Sequence, residues 1–151
     1  MTHTPVNHPA RPIYRAIGGL TGLYLVVFGV LGVITTLGDD LFAQDDTKVL
    51  GQGGNFALSL LSILLGALVL AGTLLGRNRD VAINQWTAYG LMALSLFELA
   101  FIQTDANIFN VTITTVIVTM LLGLVLLMVG MYGKVGSEEE QKLAHDARLL
   151  L

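Results

Sequence analysis

Between Asp80 and Lys134 the chain carries two charged residues, Glu98 and Asp105. Asp105 falls between two apolar runs, whereas Glu98 lies within one, about five residues or some 7–8 Å from its end. A carboxyl group there is expensive. Acidic residues cost about 2.5–3.5 kcal/mol at the centre of a membrane span and less towards its ends. Residues kept at that cost mark proton or ion pathways, or hold helices together. Asn84, Thr87, Leu91, Ser95, Glu98 and Ile102 recur at helical spacing, so Glu98 shares a face with Ser95 that is expected to turn inward. No basic residue is expected beside it. Proton carrier and helix-pairing residue both stand as readings of Glu98.

Two further polar stripes could meet that face. Asn55, Ser59 and Ser62 precede Gly66, and Thr112, Thr115 and Thr119 precede Gly123, each at spacings of 3 or 4. Each stripe is polar in its first half and small in its second. Hydroxyl and amide groups at these positions either hydrogen-bond along the seam of a helix bundle or line a polar half-cavity open to one side. Gly18, Gly22, Gly29 and Gly32 form a comparable stripe of small residues, the kind that lets helix backbones approach closely in lipid.

Other chemistry is hard to assemble. The chain has no cysteine, so disulfides, thiolate catalysis and thiolate metal sites are out of reach. His3, His8 and His145 lie outside the apolar runs, and the spacing of His3 and His8 matches no standard metal site. Asp39, Asp40, Asp45 and Asp46 lack the alternating ligands of a calcium loop. Gly51, Gly53 and Gly54 lack the Lys-Ser/Thr ending of a phosphate-binding loop. No nucleophile elbow or metalloprotease motif occurs. The sequence therefore predicts no enzyme, no cofactor and no metal. A net charge of −3 gives no basic patch for nucleic acid.

The elements that position these residues are four long apolar segments, at about Ile13–Leu37, Asn55–Gly76, Val81–Gln103 and Ile108–Tyr132. Charged residues make up 13% of the chain, against about 25% in a soluble domain, and each segment exceeds the roughly 20 residues a membrane helix needs. The third is the least apolar, with Asn84, Gln85, Thr87, Ser95 and Glu98. The expected fold class is all-α, an antiparallel four-helix transmembrane bundle over residues 1–136 with a tail over 137–151. Arg11, Arg15, Arg77, Arg79, Lys134, Lys142 and Arg148 fall on one side of these segments and Lys48 on the other. The excess of positive charge places both termini in the cytoplasm. The first segment is too long for a signal-peptide core and reads as an uncleaved span.

Segments two and four run the same way, and an offset of 57 aligns Asn55 with Thr112, Ser62 with Thr119 and Gly66 with Gly123. A duplicated hairpin and shared constraints both account for it. In the tail, Ser137 and Glu140 have the spacing of a capping box, Glu138 and Lys142 that of an i,i+4 pair. Leu143, Ala144, Ala147, Leu150 and Leu151 then share a face, which suggests a short amphipathic cytosolic helix.

The stretches Met1–Pro9 (MTHTPVNHP), Leu23–Val30 (LYLVVFGV), Leu60–Ile63 (LLSI), Thr104–Asn107 (TDAN) and Tyr132–Gly136 (YGKVG) together resemble the small four-span membrane proteins of actinobacteria grouped as domain of unknown function 4383. The resemblance covers Met1 to Gly136 and implies a bacterial plasma-membrane protein. It implies no activity, cofactor or catalytic residue. The expected role is a non-enzymatic accessory or assembly subunit, or a self-associating membrane protein, in contact with the lipid bilayer and with a membrane protein partner or its own copies. The alternative is a small proton or solute carrier working through Glu98 and the Ser/Thr stripes.

Overall fold

The computed structural model describes the backbone of residues 5–149 and the side chains of residues 5–146. His3, Leu150, Leu151 and the side chains of Ala147 and Arg148, which entered the readings above, lie outside the described residues. The fold is helical apart from one small hairpin. Helices α1 (Arg11–Thr35), α2 (Phe56–Leu75), α3 (Arg79–Phe101) and α4 (Ile113–Tyr132) are the long elements, and α5 (Glu138–Leu149) is the shorter tail helix. Strands β1 (Lys48–Val49) and β2 (Gln52–Gly53) pair antiparallel between α1 and α2.

The ends of the helices follow from local chemistry. Pro12 sits in the first turn of α1, where its missing N–H costs nothing, so the helix starts two residues before the expected Ile13. Asn55 accepts from the Leu58 N–H at 3.2 Å and is the N-cap of α2, while Gly76 is its C-cap with φ +60°. The start of the fourth segment differs from expectation. Ile108–Val111 is apolar but not helical. Asn107 accepts from the Val111 N–H at 2.9 Å and donates to the Val111 carbonyl at 3.1 Å, and Asn110 takes a left-handed φ of +53°. These side chains offer the backbone a turn in place of helix, and α4 begins only at Ile113.

The hairpin in the first loop was not legible beforehand. Leu50 and Gly51 both have positive φ, the geometry that closes a two-residue hairpin. In the tail the capping box forms: the Ser137 N–H donates to Glu140 Oε2 at 3.0 Å and the Glu140 N–H to Ser137 Oγ at 3.2 Å. The expected Glu138–Lys142 pair does not form. Among the described residues the ion pairs are Arg11–Asp80 and Arg15–Asp80.

Helices α1 to α4 pack antiparallel in chain order, and α4 closes back on α1. The most extensive faces are α1 on α2 and α3 on α4. Glycine sets both. A Cβ on Gly66 would stand 2.7 Å from the Gly22 carbonyl oxygen, and one on Gly29 would stand 2.5 Å from that of Ser59. A Cβ on Gly32 would meet the Ser59 side chain, and one on Gly18 would approach Val129 at 3.1 Å. On the other pair, a Cβ on Gly123 would stand 2.7 Å from Met92 Cγ and 3.2 Å from the Ala88 carbonyl. Halfway along, Leu25, Val69, Ala88, Leu91 and Leu126 form a buried apolar layer drawn from all four helices.

Polarity is turned inside out relative to a water-soluble domain. Thr21, Ser59, Ser62, Asn84, Thr87 and Thr115 are buried, whereas Leu20, Ile34, Leu64, Leu74, Leu96 and Ile117 are exposed. Helices α1, α2 and α4 are each long and apolar enough to cross a membrane.

Candidate functional site

The two ends of the helix assembly hold different polar clusters, separated by the apolar layer. At one end the long loop, the hairpin and the α3–α4 loop interlock. Asn55 Nδ2 donates to the Ile108 carbonyl at 2.8 Å and Asn110 Nδ2 to that of Asp45 at 2.7 Å. Gln44 Nε2 reaches the Asn107 carbonyl at 2.9 Å. Gly53 is held from both sides, its N–H donating to Thr112 Oγ1 at 3.1 Å and its carbonyl accepting from Thr115 Oγ1 at 2.7 Å. A Cβ on Gly53 would collide with Thr112 Cγ2 at 2.6 Å, so the approach requires glycine. Phe28, Val49, Leu58, Val111 and Val116 bury an apolar cluster beneath this lid.

Below the lid, the residues of the two Ser/Thr stripes behave differently. Ser59 and Ser62 donate back along their own helix, to the carbonyls of Asn55 at 2.9 Å and Leu58 at 2.8 Å. Ser95 bonds across the α3–α4 contact, donating to the Val116 carbonyl at 2.8 Å. Ser62, Thr115 and Thr119 share a small cavity of about 20 Å³ with Tyr24 and Gln52, whose side chains are joined at 2.6 Å. Such a volume holds about one water molecule. The stripes thus converge on one region, and most of their hydrogen-bonding capacity is spent on backbone carbonyls.

Glu98 lies one turn beyond Ser95 on the same face of α3. It is 4% exposed, and no donor among the described residues reaches either carboxyl oxygen. The register of α3 on α4, fixed by Ser95 against Val116, sets Glu98 level with the first turn of α4.

The other end contains a charged cluster that the sequence did not reveal. Asp80, in the first turn of α3, is 2% exposed and takes Arg11 Nη2 at 3.2 Å on Oδ2. Arg15 Nε lies 3.2 Å from the same oxygen but is misaligned for a hydrogen bond. The Arg15 guanidinium also donates to the Thr73 carbonyl in the last turn of α2, where a cation complements the helix dipole. Arg11 Nε donates to the Gly133 carbonyl at 2.8 Å. One carboxylate therefore ties α1, α3 and the ends of α2 and α4 together. Two arginines four apart on one helix face were the available signal. Their partner lies 69 residues away.

Comparison of the chain with family models, curated proteins and solved structures finds no match.

Further clamps surround the charged cluster. Asn78 donates to the Val135 carbonyl and accepts from the Val135 N–H, both at 2.7 Å. Asn7 does the same for Gly136, at 2.9 and 3.1 Å, and its own N–H reaches the Lys134 carbonyl at 2.9 Å. His8 packs edge-on against Tyr14 and Tyr132, which stack on each other at 5.1 Å. Among the described residues no group of three or more His, Cys, Asp or Glu side chains could hold a metal.

Proposed function

We propose that this chain is an integral membrane protein that crosses the bilayer four times and acts as a non-enzymatic accessory, assembly or self-associating subunit. The observation that carries the reading is the surface of α3. Asp80, Asn84, Thr87, Ser95 and Glu98 are buried, Gln85 is half-buried, and after the exposed Arg79 at its start, from Ala82 to Phe101, every exposed residue is apolar or aromatic, Trp86 being 76% exposed. The modest apolarity of α3 therefore belongs to its interior face, and lipid would meet a surface like those of α1, α2 and α4. Its 23 residues reach about 34 Å, enough for a hydrocarbon core of about 30 Å.

In this reading both termini, the α2–α3 turn and α5 are cytoplasmic, on the side rich in Arg and Lys, and the hairpin faces outward. The compartment is a bacterial plasma membrane, and membership of the actinobacterial family whose stretches the chain resembles is part of the proposal. The packed apolar layer favours an accessory role over a carrier, since a carrier needs a route past Leu25, Val69, Ala88, Leu91 and Leu126.

Affinity purification from native membranes in mild detergent, followed by native mass determination, tests the role. A stoichiometric complex with another membrane protein, or a defined homo-oligomer, is the expected outcome. A lone monomer would sink the subunit reading. Release of the chain from membranes by alkaline carbonate would sink the membrane reading itself.

A further inference from the structure

The geometry points to Glu98 as the binding site of one small monovalent cation, with the proton as the smallest member of that class. The inference rests on the proposed membrane reading for its apolar surroundings and goes beyond it in assigning a ligand. A buried carboxylate without a partner costs several kcal/mol, so a positive charge or a proton must meet it. No basic side chain among the described residues pairs with it: Lys48, on this side of the segments, is exposed in β1 and forms no ion pair. Helices α2 and α4 contain no charged residue, α1 has none after Arg15, and α3 has none between Asp80 and Glu98. Tyr24 is the titratable side chain that the facing helix α1 brings to this half of the interior, and its hydroxyl accepts from Gln52. Arg11 and Arg15 are engaged with Asp80, 18 residues away along α3, or about 27 Å.

A partner protein cannot supply the charge either. Glu98 faces inward and is 4% exposed, so a basic side chain from a neighbouring membrane protein would have to part the helices. Burial makes the next selection. Glu98 is buried, so whatever meets its carboxyl group must fit among packed side chains. The cavity in this half is bordered by Leu91 and Leu94 rather than by Glu98 itself, and has room for about one water molecule. A single carboxylate balances a single positive charge, and among the described residues no group of three or more acids or histidines, of the kind a divalent ion takes, is assembled. Ser95 Oγ, one turn away, donates to the Val116 carbonyl, which leaves its lone pairs available to a cation.

The test is thermal unfolding of the full chain in lipid nanodiscs. Choline, lithium and sodium chloride are compared at one ionic strength across a pH series, for wild type and Glu98→Gln. A ligand held by the folded state raises the midpoint with its concentration. The expected result is a wild-type midpoint that shifts with one cation and a Glu98→Gln midpoint that has lost that shift. A shift with pH that is indifferent to sodium and lithium assigns the proton; a shift with sodium or lithium at fixed pH assigns the metal ion. Equal dependence of both proteins on every cation would overturn the proposal and leave Glu98 with water alone. If Glu98→Gln does not fold, Glu98→Asp serves: the shift should move to higher cation concentration, and a wild type insensitive to all cations overturns the proposal. Carbonate extraction reports on the membrane reading separately, so the two can fail independently.

Discussion

Asp80 and Glu98 sit on the same face of one helix and have opposite fates. Asp80 is engaged by two arginines, whereas Glu98 meets no donor among the described residues. Replacing Asp80 with Asn keeps the shape and removes the charge that both guanidiniums approach. The expected cost is about 1.5–3 kcal/mol, the range for hydrogen bonds to charged groups, read as a lowered midpoint in detergent unfolding. A cost near zero would mean that the Thr73 and Gly133 carbonyls alone hold the arginines. Asn55→Ala removes a helix cap and the bond to Ile108, for an expected loss of about 1–2 kcal/mol. Faster hydrogen exchange at residues 107–112 would accompany it. Glu98 was legible because a lone acid in an apolar run stands out by composition. Asp80 was not, because beside Arg77 and Arg79 it looks like a turn residue, and its partnership depends on how α1 lies against α3.

At the scale of helices, glycine separates two situations that composition treats alike. Gly66 presses on the Gly22 backbone, whereas a Cβ on Gly90 would meet nothing within 4 Å. Gly66→Ala is therefore expected to cost about 1–3 kcal/mol through overpacking. Gly90→Ala should stabilise by up to about 1 kcal/mol, because an open helical glycine carries only an entropic cost. Parallel unfolding curves for the two variants check the pair of signs. Helical spacing revealed which residues share each stripe, since a period of 3.6 is written directly in the chain. It did not reveal where α4 begins, because Ile108–Val111 is as apolar as a helix. The decision there falls to the side chains of Asn107 and Asn110. Nor did it distinguish hydroxyls bonded along their own helix, such as Ser59 and Ser62, from those that reach across, such as Ser95.

For the whole molecule, the informative surface is that of α3. Leu96→Arg places a charge on its exposed face and is expected to cost about 2.5–3.5 kcal/mol of insertion if lipid lies there. Glycosylation-mapped insertion of the variant would measure this, and unimpaired insertion would count against a lipid-facing α3. Because the chain has no cysteine, single-cysteine variants report topology cleanly. Asp46→Cys should react with an impermeant maleimide on intact cells, and Glu139→Cys only after the membrane is opened. Segment count and charge asymmetry were readable from the chain, since both are properties of composition along its length. The interlocked lid was not, because Gly53, Asn55, Thr112 and Thr115 become neighbours only when two loops fold over each other. At the opposite end, residues 134–136 are gripped on one edge by Asn7 and on the other by Asn78. A segment held on both edges transmits tension. Force applied to α5 would thus load the roots of α1 and α3 together with α4, rather than peeling α4 away first. Under mechanical extraction from the C-terminal side, the chain should resist as a unit and yield in one large step.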